Sequence, residues 1–203
     1  MKRLFLFLLI MAIVLASRVM YAAERGPLED LNVALKLDYI NFTEGKLKNS
    51  DVDTGLYVGL EGYAETKITP NLYVGMEVGY ANPDGSVDIN GTHVDTEVTF
   101  FPIEINLKYA IKIKTIPNFV IDFGAGGSYI YVKEKATVSE LGIFHTIRTD
   151  DWLLGGQFFA DLTYKVDNYF IGINAKYQLT ENLKDRGYNY NNWRIGGQIG
   201  MMF

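Results

Sequence analysis

The chain contains no cysteine and only two histidines, His93 and His145, in 203 residues. Without thiols it makes no disulfide, no thiolate nucleophile and no cysteine-bound metal. Phosphate loops, dinucleotide fingerprints and metal-ligand clusters are missing as well. Long hydrophobic runs are equally scarce. Past the first fifteen or so residues, nothing approaches the roughly 20 apolar residues that a helix needs to cross a bilayer. Any embedding in a membrane therefore has to use strands. The formal charge is −5, which disfavours nucleic acid as a partner.

What is present starts with Met1-Lys2-Arg3, an apolar stretch from Leu4 to Leu15, and Ala16-Ser17. A basic start, a short greasy run and small residues describe a secretory signal peptide over 1–23, cut after Ala16 or Ala23. Loss of Lys2, Arg3 and Arg18 takes the charge from −5 to −8. Residues 24–203 then form one domain. That length suits eight strands of about 10 residues with their loops, whereas a 16-stranded porin needs far more chain.

The last eleven residues alternate. Phe203, Met201, Ile199, Gly197, Ile195 and Trp193 share one parity; Met202, Gly200, Gln198, Gly196 and Arg194 share the other. Successive strand side chains point to opposite faces, so one face is apolar and the other small or polar. The same period marks seven earlier strands: 31–42, 54–67, 72–81, 93–113, 119–133, 151–166 and 169–179. In strand 93–113 the apolar set changes parity, from Val94, Val98 and Phe100 to Ile103, Ile105, Leu107 and Tyr109. A bulge at Phe101-Pro102 is expected there, since proline cannot donate to a ladder.

Short connections (69–71, 114–118, 167–168) alternate with long ones (43–53, 82–92, 134–150, 180–192). Aromatics flank the apolar face at both ends: Tyr39, Tyr80, Tyr129, Tyr131, Trp152, Tyr177 and Trp193 toward the long loops, Tyr109, Phe119, Tyr164, Tyr169 and Phe203 toward the short turns. The expected fold is all-β, an eight-stranded antiparallel up-and-down transmembrane β-barrel with two aromatic girdles. A soluble lipocalin-like barrel carries the same alternation inside out. Glycine mixed with opposite charges on the polar face favours the membrane form, because a soluble exterior holds more lysine and glutamate.

Two segments, Phe101-Pro-Ile-Glu-Ile-Asn-Leu-Lys-Tyr109 and Phe119-Val-Ile-Asp-Phe-Gly-Ala-Gly-Gly-Ser-Tyr129, resemble the small outer-membrane β-barrel proteins of the OmpA/OmpX type. The C-terminal strand resembles that of bacterial outer-membrane barrels, in which a terminal Phe with apolar residues at alternate positions signals to the assembly machinery. The resemblance assigns that role to Trp193, Ile195, Ile199, Met201 and Phe203. It implies export through the periplasm to the outer membrane of a Gram-negative-type bacterium. The partners implied are periplasmic chaperones, the barrel-assembly machinery, the lipid bilayer and lipopolysaccharide. A monomer is expected. With the eighth strand ending the chain, a peptidoglycan-binding domain is not.

The polar parity gathers Lys36, Asp38, Glu61, Glu65, Glu77, Glu104, Lys108, Asp122, Asp161, Lys165, Lys176 and Arg194. Both signs are supplied, so a mutually neutralising network filling a narrow interior is the expected reading. A structural or surface-interaction role follows, with the long loops offered outward. The rival class is a narrow pore or transport protein. A lipid A-modifying enzyme is the third. A lipid A deacylase carries a His-x-Ser pair, but His93 and His145 are followed by Val94-Asp95 and Thr146-Ile147. Ser139, Glu140 and His145 fall in a long loop, a poor platform for acyl transfer. Both histidines are expected in solvated loops. Asp84, Asp88 and Asp95 lack calcium-loop spacing; contact with cation-bridged lipopolysaccharide is the expectation for them. No catalytic residue, cofactor or metal is expected.

Overall fold

The computed structural model describes residues 28–49, 51–89, 92–140, 143–183 and 187–203. The expected leader, 1–23, lies outside them. The elements in order are β1 (Leu28–Phe42), α1 (Gly45–Asn49), β2 (Thr54–Thr66), β3 (Leu72–Ala81), β4 (Asp84–Ile89), β5 (Thr92–Lys112), β6 (Phe119–Glu140), β7 (Ile143–Val166), β8 (Tyr169–Thr180) and β9 (Asn192–Met202). No helix among the described residues is long and apolar enough to cross a membrane.

Every pairing is antiparallel, and sequence neighbours pair except across β4. The sheet closes twice over: β1 runs against β9 from Asn32↔Met202 to Phe42↔Asn192, and β3 against β5 from Leu72↔Tyr109 to Ala81↔Phe100. Eight strands thus form a ring, and β4 pairs beside the outer end of β5 without entering it. Closure removes the open edges that an isolated sheet carries. At the turn end, Asn71 (φ 64°) and Asp167 (φ 51°) take the left-handed conformation that tight reversals demand.

Three expectations are corrected. The ladder of β5 carries no bulge at Phe101-Pro102. Its register against β6 is unbroken from His93↔Ser139 to Lys112↔Val120, and Val78↔Ile103 and Ala81↔Phe100 of β3 share one register. The parity change has another cause: what fills the interior changes from polar to apolar, so Val98, Phe100 and Pro102 point inward with Glu104. Pro102 sits where the β3–β5 ladder skips two rungs, which accommodates its missing N–H. Second, 134–140 and 143–150 are strand and not loop. There β6 and β7 continue as a long hairpin, Glu134↔Thr149 through Glu140↔Ile143, so His145 and Ser139 lie on strands. Third, 82–92 holds β4, which forms a hairpin with β5, so His93 is a strand residue too; 43–53 holds the one-turn α1. The only register irregularity along the described strand pairs is in β1, between Glu29 and Asn32.

The apolar parity faces outward and is exposed along the wall. Leu35, Leu56, Ile105, Leu154, Phe158, Ile173 and Ile199 are each more than half exposed, the reverse of a water-soluble barrel. Aromatic pairs mark both rims. Toward the loops, Tyr129 stacks on Trp152 at 4.6 Å and Tyr39 meets Trp193 at 5.5 Å. Toward the turns, Phe119 meets Tyr164 at 4.8 Å. Phe123 and Phe158 depart from the expected girdles, standing outward between the two rims.

Candidate functional site

The interior is built in three layers. At the turn end, Tyr73, Ala110 and Val120 form a small apolar floor with Tyr63 against it. Glu65 is held there by the Tyr73 hydroxyl at 2.8 Å and the Asn71 N–H at 2.5 Å. The residual cavity beside this floor, lined by Asn32, Asp122, Thr163 and Lys165 among others, measures about 10 Å³. That is room for about one water molecule.

The middle layer is ionic. Lys108 Nζ lies 2.9 Å from both Glu61 and Asp161. Lys36 Nζ bridges Glu61 and Glu77 at 3.0 Å each. Lys176 joins Glu77 at 2.7 Å to Glu104 at 2.5 Å. Arg194 completes the chain, 2.5 Å from Glu104 and 3.5 Å from Glu77. Four cations thus face four carboxylates, and all eight are buried. Each charge is brought in by a different strand or a different height on it: β1, β2, β3, β5, β7, β8 and β9 all contribute. Buried charges survive only when paired, and each of the eight is; Arg194 Nε and Nη1 and Asp161 Oδ1 are left without a hydrogen bond.

Neutral groups complete it. Tyr57 Oη donates to Glu77 at 2.8 Å while its ring takes the Arg194 guanidinium at 4.3 Å. Gln178 donates to Glu104, and Asn106 to Glu61. The Phe159 ring sits among the ammonium groups of Lys36, Lys108 and Lys176, at 5.9, 5.5 and 5.4 Å from its centroid. Glycine makes the room. A Cβ on Gly79 would fall 1.9 Å from the Tyr57 hydroxyl, and one on Gly124 2.1 Å from the Phe159 ring.

Four of the twelve lumen residues expected from sequence stand apart from the ionic chain. Asp38 is buried and accepts from Asn174 Nδ2 at 2.9 Å. Glu65, Asp122 and Lys165 lie at the turn end, Lys165 half-buried. Phe159, Tyr57 and the amides carry inward parity and belong to the same layer, but uncharged side chains gave no signal of a site. Trp193, Ile195, Ile199, Met201 and Phe203 are exposed on the outer face of β9 and the residue after it.

The third layer, under the long loops, is apolar. Ile40, Phe42, Val98, Phe100, Ile130, Val132 and Leu153 point inward from the strands. Leu47 and Val52 from the first loop, and Leu183, Tyr188 and Tyr190 from the last, pack down onto them. Phe42 meets Phe100 and Tyr190 edge-on at 5.2 and 5.6 Å. Both tyrosine hydroxyls, of Tyr188 and Tyr190, donate to the buried Glu134 carboxylate. Burial, and then the Glu134 charge, raise the Tyr190 phenol above its ordinary range, which keeps it a donor. A cleft of about 550 Å³ remains beside this plug, between α1 and the inner faces of β5 and β6.

Beyond the wall, β4, β5, β6 and β7 project as a sheet. At its tip His93 Nδ1 lies 2.8 Å from Asp88 and Nε2 3.2 Å from Asp95. Hydrogen bonding to Asp88, with Asp95 beside it, raises the imidazole pKa. Ser139 and His145 do not form a catalytic pair. His145 stands opposite Val138, so it and Ser139 point to opposite faces of the hairpin.

This closed ring, with an apolar exterior and ionic interior, is the fold of the eight-stranded outer-membrane barrels. No family model and no curated protein matches the sequence. Solved structures do match in fold. Neisserial surface protein A, NspA, is 12% identical, covering 85% of this chain and 97% of its own, with a TM-score of 0.56. The outer membrane protein OprG from Pseudomonas aeruginosa is 14% identical, covering 87% and 97%, at 0.57. A major outer membrane protein from Thermus thermophilus is 12% identical, covering 85% and 99%, at 0.54. At these identities the likeness is one of fold.

Proposed function

We propose that this chain is an integral outer-membrane barrel with a structural and surface-interaction role, exported by the leader over 1–23. Its bilayer partner lipids include lipopolysaccharide, and it works as a monomer without catalytic machinery, metal or cofactor. The observation that carries the proposal is the inversion of polarity across the wall: more-than-half-exposed Leu, Ile and Phe outside, fully buried ion pairs inside. Such an exterior is tolerated only in hydrocarbon. The solved structures of similar fold, each named as an outer-membrane or surface protein, support the same compartment.

The three-layer interior supports a plug over a pore. An ion crossing it must separate the Lys176–Glu104 and Arg194–Glu104 contacts and displace the apolar cap. Phe203 and its alternate partners on β9 face the exterior, where the chaperones and assembly machinery would meet them. The projecting β4–β7 sheet is the surface offered to other cells or molecules.

Planar-bilayer recording tests this reading. The folded protein is expected to give no discrete openings. Steady single-channel steps that disappear in Arg194→Ala would instead establish the pore. Lipid A profiles of cells with and without the gene are expected to be identical; an acyl-chain difference would restore the enzyme.

A further inference from the structure

Outward-pointing cations on the described strands of this barrel are confined to one place. Lys36, Lys108, Lys112, Lys165, Lys176 and Arg194, on five strands, all have inward parity. Lys133, Lys135 and Arg148 alone share the outward parity of Tyr131 and Trp152 on β6 and β7. They begin two residues beyond the aromatic row formed by Phe101, Tyr131 and Trp152. At about 3.3 Å per residue and a strand tilt near 45°, the three sit about 5–10 Å above that row. That is headgroup height, and long basic side chains reach still further down to it.

Within the patch, Lys135 stands directly opposite Arg148 across the β6–β7 ladder. Like charges opposed in this way destabilise a hairpin unless something between them is negative. Carboxylates flank the patch, and Asp84 and Asp95 line one cleft with Lys135 and Glu97. Glu97 lies 3.7 Å from Lys135, both side chains exposed, and Asp150 stands opposite Lys133. Arg148 has neither hydrogen bond nor ion pair among the described residues. Its planar fork, beside an ammonium and above aromatic rings, has the form of a bidentate phosphate site.

We infer that Lys135 and Arg148, with Lys133 beside them, clamp a phosphate of the phosphorylated glycolipid in the surrounding outer leaflet, fixing that lipid against the stacked Tyr129–Trp152 pair. The inference rests on the outer-membrane reading above and names where that lipid is held. Its acyl chains then lie along the exposed Leu154, Phe158 and Tyr129 face, so one lipid satisfies both the charge and the wall beneath it.

The test uses the mature protein folded in neutral phosphocholine nanodiscs, titrated with lipid A bisphosphate and with its dephosphorylated form. The bisphosphate is expected to bind at least about tenfold more tightly, the worth of one charge-assisted bond. The variant Lys135→Gln/Arg148→Gln is expected to lose that preference, and Lys112→Gln, an inward control, to keep it. Equal binding of both lipid forms by the unaltered protein, or preference retained in the double variant, overturns the inference. So does complete competition by inorganic phosphate at equal concentration, which would make this a simple anion site. Heat-dependent gel migration of each variant is read in parallel: its loss in the unaltered protein would count against the barrel in the membrane, and its retention isolates the lipid site as the thing tested.

Discussion

Glu77 shows what one side chain carries in this molecule. It takes Lys36, Lys176, Arg194 and the Tyr57 hydroxyl at once, at zero exposure. Glu77→Gln leaves three cations short of a counter-charge, and breaking such a buried network typically costs about 3–5 kcal/mol. Denaturant unfolding of the detergent-folded protein is expected to show a loss of that order. Gly79→Ala is expected to cost about 1–3 kcal/mol through overpacking against Tyr57, partly recovered when Tyr57→Leu is added, in the same measurement. At the exposed tip, the His93 pKa is raised in the folded state by Asp88 and Asp95. Its contribution to hairpin order is therefore full below the unfolded histidine pKa and fades as pH rises through the folded one. An NMR titration is expected to place the His93 midpoint lower in Asp88→Asn than in the unaltered chain. The charged members of the interior were legible in sequence because parity sorts them with no knowledge of distance. Phe159 was not: an aromatic ring among ammonium groups has the same letter as one facing lipid, and only its position one residue from Phe158 separates the two.

Strand β5 explains why element boundaries were harder to read than element identity. Its inner face is Glu104, Asn106 and Lys108 in the middle and Val98, Phe100 and Pro102 above. A reader of alternation sees the apolar set change parity and infers an extra residue, whereas the strand is regular and its surroundings change. The same cause hid the extension of β6 and β7. Beyond Lys133 their outward residues are Lys135, Arg148 and Asp150, which in isolation read as loop. Ladder bonds, not burial, keep that hairpin extended. Deleting 136–147 and joining the ends with a two-residue turn is expected to leave heat-modifiable migration intact, since the β6–β7 contacts of the wall begin at Tyr131↔Trp152 and run down to Phe119↔Tyr164.

For the molecule as a whole, closure and the polarity of its two surfaces decide where it resides. Single-cysteine variants at Ile105 and Ile173, both well exposed on the wall, are expected to react with a lipid-phase reagent and to resist an aqueous maleimide. Aqueous labelling at both would mean the wall faces water. Carbonate washing of envelopes is expected to leave the protein in the pellet.

One seam has a further consequence, in time as much as in space. Strand β1 obtains its second neighbour only from β9, so Asn32 waits for Met202, which is made much later in synthesis. Until then β1 and β8 each carry a bare edge, ready to pair with whatever strand comes first. A chain truncated after 191 is therefore expected to accumulate as protease-sensitive aggregate. Premature termination would yield cell waste in place of a smaller barrel.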